Sequence, residues 1–268
     1  MDKNLYVDNG KRGRLFFLAA LLAVSLFVLR AWNVVDLNNY WHLAGMFFIY
    51  FFASYLGMIW GFRFQVTVRS LLTILPQSAI FVASQALFVM LFFFRDFARV
   101  YEFLLLFVLL IVVLVTTYIS FLMANIFNVA TFKRVPLEQV AKTTSYIITL
   151  LYVYFITFGV LSFEVHVIIS VVVLFFAYLA GIFFHSLHLD YTRQEIYSSI
   201  IMISVSMTAI LMGGVMLGSS YEITALLPTT VAFVLFGVEM NRGKLNSFSY
   251  LKYFITVLIA VAINIFLQ

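Results

Sequence analysis

The stretch "EFLLLFVLLIVVLV" (Glu102 to Val115) decides the fold, because after its opening glutamate every side chain is aliphatic or aromatic. Strands of an outer-membrane barrel alternate apolar and polar residues over segments of about ten, and this run does not alternate. Carried on to Val129, it exceeds the roughly 20 apolar residues that take a helix across the hydrocarbon of a bilayer. The rest of the chain repeats the pattern. Sixty-five percent of the 268 residues are hydrophobic and 10% are charged, with a mean hydropathy of +1.10. A soluble domain is about 45–50% apolar and about 25% charged. The sequence therefore predicts an all-α, polytopic membrane helix bundle.

Working outward from that run, the hydropathy predicts nine spans: Leu15–Ala31, Tyr40–Trp60, Leu71–Phe94, Phe103–Val129, Ser145–Leu161, His166–Phe184, Tyr197–Leu217, Ile223–Val238 and Tyr250–Leu267. Short cytoplasmic loops carry an excess of Lys and Arg, so the cations test this division. With a cytoplasmic N-terminus, Lys3, Lys11, Arg12, Arg14, Arg63, Arg69, Lys133, Arg134, Lys142, Arg193, Arg242, Lys244 and Lys252 fall inside. That is 13 of 16, leaving Arg30, Arg95 and Arg99 outside. Nine spans place the C-terminus on the opposite face. Five of the 11 acids (Asp36, Asp96, Glu102, Glu164 and Glu222) fall outside and six inside, as expected of residues that contribute little to orientation. The net charge of +5 is thus a threading signal. No basic face with interleaved aromatics is available for nucleic acid.

The loops are too short for a soluble domain, so residues 1–268 are expected to form one integral membrane domain. The longest cytoplasmic connection, residues 131–144, carries Pro136 where a helix can begin and reads as a short interfacial helix. The run after "KRGR" (Lys11 to Arg14) begins like a signal peptide, but Arg30 to Asn33 offer no A-x-A-like cleavage site. It is expected to stay as the first span. The expected setting is the cytoplasmic membrane of a prokaryote, with the lipid bilayer and other membrane proteins as partners. Cysteine is absent, which removes disulfides, thiolate nucleophiles and cysteine metal sites. No cofactor is implied.

Helices in lipid associate through small residues and hydrogen bonds, since lipid tails are as apolar as leucine. Small residues recur four apart at Ala53/Gly57/Gly61, Ala177/Gly181 and Gly214/Gly218, and read as seams between helices of this chain. Polar residues at membrane depth are costly and are candidate functional positions. Thr73, Gln77 and Ser84 share one face of the third span, with Gln85 beside it. Asn125 and Asn128 add to the fourth span, and Ser204 and Thr208 to the seventh. These eight are candidates for a polar path, and interhelical glue is the competing reading. No acid or base sits at the centre of a span, which argues against a proton relay or a voltage sensor.

The nearest thing to a chemical motif is "GIFFHSLHLDYTRQE" (Gly181 to Glu195). His185 and His188 lie three apart, on one helical face, and form a candidate metal pair. A catalytic zinc needs three protein ligands, and Asp190 points to another face. A third ligand would come from Glu195 or Glu239; His42 and His166 fall at the opposite surface. The favoured alternative is a solvated helix end where the sixth span meets the headgroups. Three functions follow: an accessory membrane subunit acting by packing, a transporter or channel for a neutral solute or lipid, and a membrane-embedded enzyme at the cytoplasmic rim. The first accounts best for intact spans without a titratable centre.

Overall fold

A computed structural model of the chain describes residues 9–31, 39–93, 99–131, 137–163, 165–188, 193–240 and 247–266. No strand occurs among them. The helices are α1 (Asn9–Ala31), α2 (Tyr40–Gly61), α3 (Leu75–Phe93), α4 (Arg99–Ala130), α5 (Glu138–Leu161), α6 (Val167–Ser186), α7 (Arg193–Leu217), α8 (Tyr221–Thr224), α9 (Leu226–Met240) and α10 (Ser247–Phe266). Among the described residues, eight runs are long and apolar enough to span a bilayer, from Gly10–Leu29 through Tyr221–Val238. The ninth expected span is α10, whose described apolar stretch, Ile255–Phe266, is shorter. The architecture is an all-α helical bundle. On α2, Tyr40 and Trp41 lie exposed at one end and Trp60 at the other, the two levels at which interfacial aromatics are favourable. Tyr250 lies outside the residues whose side chains are described.

Residues 138–144, part of the stretch read as an interfacial helix, are the opening turns of α5 and run on into it unbroken. The chain divides into two compact units, Met1–Ser145 and Tyr146–Gln268, with α5 beginning in the first and ending in the second.

In the first unit α3 is the enclosed rod. Of its apolar window 83% is buried, against 22% for α2 and 28% for α4. Close approach is possible because Ser78, Ala79, Ala83, Ser84 and Ala86 leave room. On α1 the residues Leu15, Leu18, Leu22 and Leu26, at helical spacing, are buried. Leu18 and Leu15 seat against α2 at Gly57 and Gly61, where an added Cβ would come within 2.5 Å and 2.6 Å of their Cδ atoms. The small-residue seam of α2 is thus a joint within the chain.

Five residues of π-helix, Ser70–Ile74, lead into α3. The cause is Pro76, whose ring and missing N–H disrupt the preceding helical turn. The Leu75 N–H bonds Ser70 O, five residues back. The Leu71 carbonyl, whose partner five residues on would be Pro76, accepts instead from the Tyr55 hydroxyl of α2 at 3.1 Å. A backbone group freed in a span must find such a substitute, since lipid offers none. Tyr55→Phe is expected to orphan this carbonyl and cost about 1–2 kcal/mol, read as the shift of the unfolding midpoint in sodium dodecyl sulfate. An unchanged midpoint would mean that Leu71 O has another donor.

The chain leaves α2 through a turn in which Arg63 (φ 57°) and Phe64 (φ 59°) both occupy the left-handed region. A bulky side chain is rare there and costs on the order of 1–3 kcal/mol. The turn is nevertheless pinned. Phe62 N–H bonds Met58 O at 2.8 Å and Phe64 N–H bonds Ile59 O at 3.0 Å, while the Asn128 amide nitrogen of α4 donates to Gln65 O at 2.9 Å. Phe64→Gly is expected to stabilise the protein by about 1 kcal/mol, because glycine adopts this conformation without a Cβ penalty. The measurement is the melting temperature in a neutral detergent, and a fall would contradict the assigned strain.

In the second unit the buried face of α6 runs through Ser170, Leu174, Tyr178, Ile182 and His185, at spacings of three and four. Tyr152 of α5 lies against Gly181 and donates to Ala177 O at 2.9 Å. Thr157 donates its single proton to Val153 O at 2.6 Å, so the Tyr178 hydroxyl, 2.7 Å away, must donate to Thr157. Gly214 of α7 receives Leu227 of α9, and Gly237 of α9 receives Tyr253 of α10. Gly218, at φ +74°, ends α7 with the left-handed residue that helix C-termini favour.

Candidate functional site

The eight polar candidates divide between the units. In the first unit Gln85 braces α3 to α4 with both ends of its amide. Its nitrogen donates to Thr116 Oγ1 at 2.5 Å, and its oxygen accepts from Thr117 at 3.2 Å. Gln77 donates to Ser145 Oγ at the start of α5, 2.7 Å away. Both glutamines are buried. Asn128 ties α4 to the turn after α2, and Asn125, one turn earlier, is half-buried. Thr73 and Ser84 donate to carbonyls of their own helical run, Arg69 O and Phe81 O. Beside them Ser78, absent from the sequence-derived set, donates across to Ser120 O at 3.1 Å. In the second unit Thr208 donates to Ser204 O on α7, and the buried Ser204 hydroxyl has no partner among the described residues.

His185 departs from the expected solvated helix end. It is 0% exposed, set edge-on to Phe236 of α9 at 4.9 Å and beside Tyr146 of α5 at 6.2 Å. The reason is register: His185 continues the Leu174, Tyr178, Ile182 face of α6 for one more turn. The Tyr146 hydroxyl in turn donates to Phe233 O at 3.1 Å. His188, the other half of the candidate metal pair, is half-buried past the end of α6. No group of three or more His, Asp or Glu that would hold a metal occurs among the described residues. The side chains of Asp190, Glu195 and Glu239 lie outside them. His166, at the other end of α6, caps that helix by accepting from Ile168 N–H at 3.4 Å.

A cavity of about 510 Å³ opens at this other end of α6, lined by Leu161, Val165, Val171, Val215 and the hydroxyl residues Ser170, Ser219, Tyr221 and Thr224. Sequence reasoning missed it, since it lies where four helix ends meet and no single segment signals it. Ser219 donates across to Asn264 of α10, shared between Oδ1 at 2.8 Å and the carbonyl at 3.0 Å, which ties this part of the lining to α10.

Spans of this length, apolar on their outer faces and hydrogen-bonded across their inner ones, define a multi-pass α-helical membrane protein. No family model, curated protein or solved structure matches the chain.

Proposed function

We propose that the protein is an accessory, structural subunit of a membrane assembly, acting by packing against other membrane chains. One observation carries this reading: Gln77, Ser78 and Gln85 of α3 are each hydrogen-bonded to a neighbouring helix, Gln85 through both ends of its amide. A carrier would keep such groups for a wet path; here they brace the bundle. Broad apolar faces support the same reading, with Phe48, Phe52 and Leu56 of α2 and Leu104, Phe107 and Ile111 of α4 all exposed. A partner helix satisfies such faces as well as lipid does. The test is extraction of the tagged chain from its own membranes into native-lipid discs, followed by native mass measurement. A second membrane chain in fixed ratio is expected, and a chain that is alone under every extraction condition overturns the proposal. The threading goes with it: tags at the two ends are expected on opposite faces of the membrane, the N-terminal one cytoplasmic.

The cavity in the second unit favours a second reading, a transporter or channel for a neutral solute or lipid, because its described lining carries hydroxyls and no charge. That reading requires flux in reconstituted vesicles that Val171→Trp, which fills the cavity, abolishes.

A further inference from the structure

We propose that the rim formed by the start of α1 and the turn after α2 binds the phosphate headgroup of an anionic phospholipid. Positive-inside threading places cations at a rim, but it does not require them to be gathered around one rigid turn, and here they are. Lys11 Nζ donates to Gln65 Oε1 at 2.7 Å. One helical turn on, Arg14 donates to Trp60 O at 3.4 Å and lies 5.1 Å from the centroid of the Trp60 ring. These partners are neutral, so they orient both cations without cancelling their charge. They also occupy one of three ammonium donors and one of five guanidinium donors, leaving the others for phosphate oxygens. Arg63 and Arg69, at either end of the same turn, are exposed.

The turn is held open at a conformational cost, with Arg63 and Phe64 both left-handed and Asn128 and the backbone bonds fixing the geometry. Strain that is retained in this way marks functional positions. Its result is to display Phe64, 71% exposed, beside Arg63, with Trp60 39% exposed nearby. Aromatic surface next to Lys11 and Arg14, whose partners here are the neutral Gln65 and Trp60, matches an amphiphile with an anionic end, and a soluble anion would have no use for the aromatic part.

The experiment is lipid titration of the full-length protein, purified in neutral detergent, by native mass spectrometry. Phosphatidylglycerol is compared with phosphatidylcholine of the same acyl chains and with soluble glycerol phosphate. At least a tenfold preference for phosphatidylglycerol over phosphatidylcholine is expected. Lys11→Gln and Arg14→Gln should each weaken phosphatidylglycerol about fivefold and leave phosphatidylcholine unchanged, while Arg14→Lys keeps most of the binding. Phe64→Gly, which relaxes the turn, serves as the variant that folds and still loses preference. Lys252→Gln, on α10, should change nothing. Equal affinity for the two lipids, or an equal loss in Lys252→Gln, overturns the proposal. Glycerol phosphate binding as tightly as the lipid would reassign the site to a soluble phosphate and overturn it too.

Discussion

Gly181→Ala is expected to destabilise the second unit by about 1–3 kcal/mol, the usual cost of overpacking a tight site. The new methyl would fall on the ring of Tyr152, 2.8 Å from Cδ1 and closer still to Cε1. The contrast with α2 makes this a sharp test. At Gly57 the neighbour is the end of a leucine side chain, which can rotate away. The Tyr152 ring is rigid, and its hydroxyl is tethered to Ala177 O on the very helix that would push it off. Relief therefore requires α5 and α6 to separate or the hydrogen bond to break. The measurement is a double-mutant cycle with Tyr152→Leu, followed by unfolding in sodium dodecyl sulfate. Gly181→Ala should cost much less in the Tyr152→Leu background. If the two changes simply add, the joint is not where the structure places it.

His185→Ala should be more costly, about 2–4 kcal/mol, because it removes the ring packed edge-on to Phe236 and beside Tyr146 and leaves a cavity against both. His185→Lys is predicted to prevent folding, since a cation there would lie in a site of 0% exposure. His185→Phe should recover most of the loss, because the edge-on packing survives in a flat ring of similar size. Melting temperatures of the three variants check this order. A protein that tolerates His185→Ala without loss would restore the solvated helix end anticipated from the sequence. Elemental analysis of the native protein is the companion measurement: zinc or iron in stoichiometric amount, lost in His188→Ala, would make the pair a ligand set.

Much of the candidate site was legible, in a particular sense. Gln77, Gln85 and Asn128 stand out because an amide in a leucine-rich span must find a partner, and each has one in another segment of the first unit. Their partners were less visible. Thr116 and Thr117 read as ordinary span residues, and Ser145 as a mere boundary. Thr73 and Ser84 share a face with Gln77 in sequence, and Thr208 follows Ser204 by one turn of α7, yet all three bond their own helical runs. A hydroxyl can satisfy itself on the carbonyl three or four residues back, whereas an amide cannot do so as readily. His185 was misplaced for a related reason: a titratable residue near a helix end is usually solvated, and only the continuing stripe of Leu174, Tyr178 and Ile182 signals otherwise.

From the sequence alone came the all-α membrane class, the approximate spans and the seam glycines Gly57, Gly61, Gly181 and Gly214, which follow from hydrocarbon length and from which residues are small. Gly218, also read as a seam, meets no neighbour among the described residues and ends α7 instead, and the seam at Gly237 was not read. Only the tertiary structure decided which glycine receives which side chain, that α3 is the enclosed rod of its unit, and that His185 is dry. The reason is the solvent. In water, the apolar stripe of a helix tells which face turns inward; in lipid both faces are equally apolar, and the choice passes to shape complementarity and a few hydrogen bonds between residues far apart in the chain.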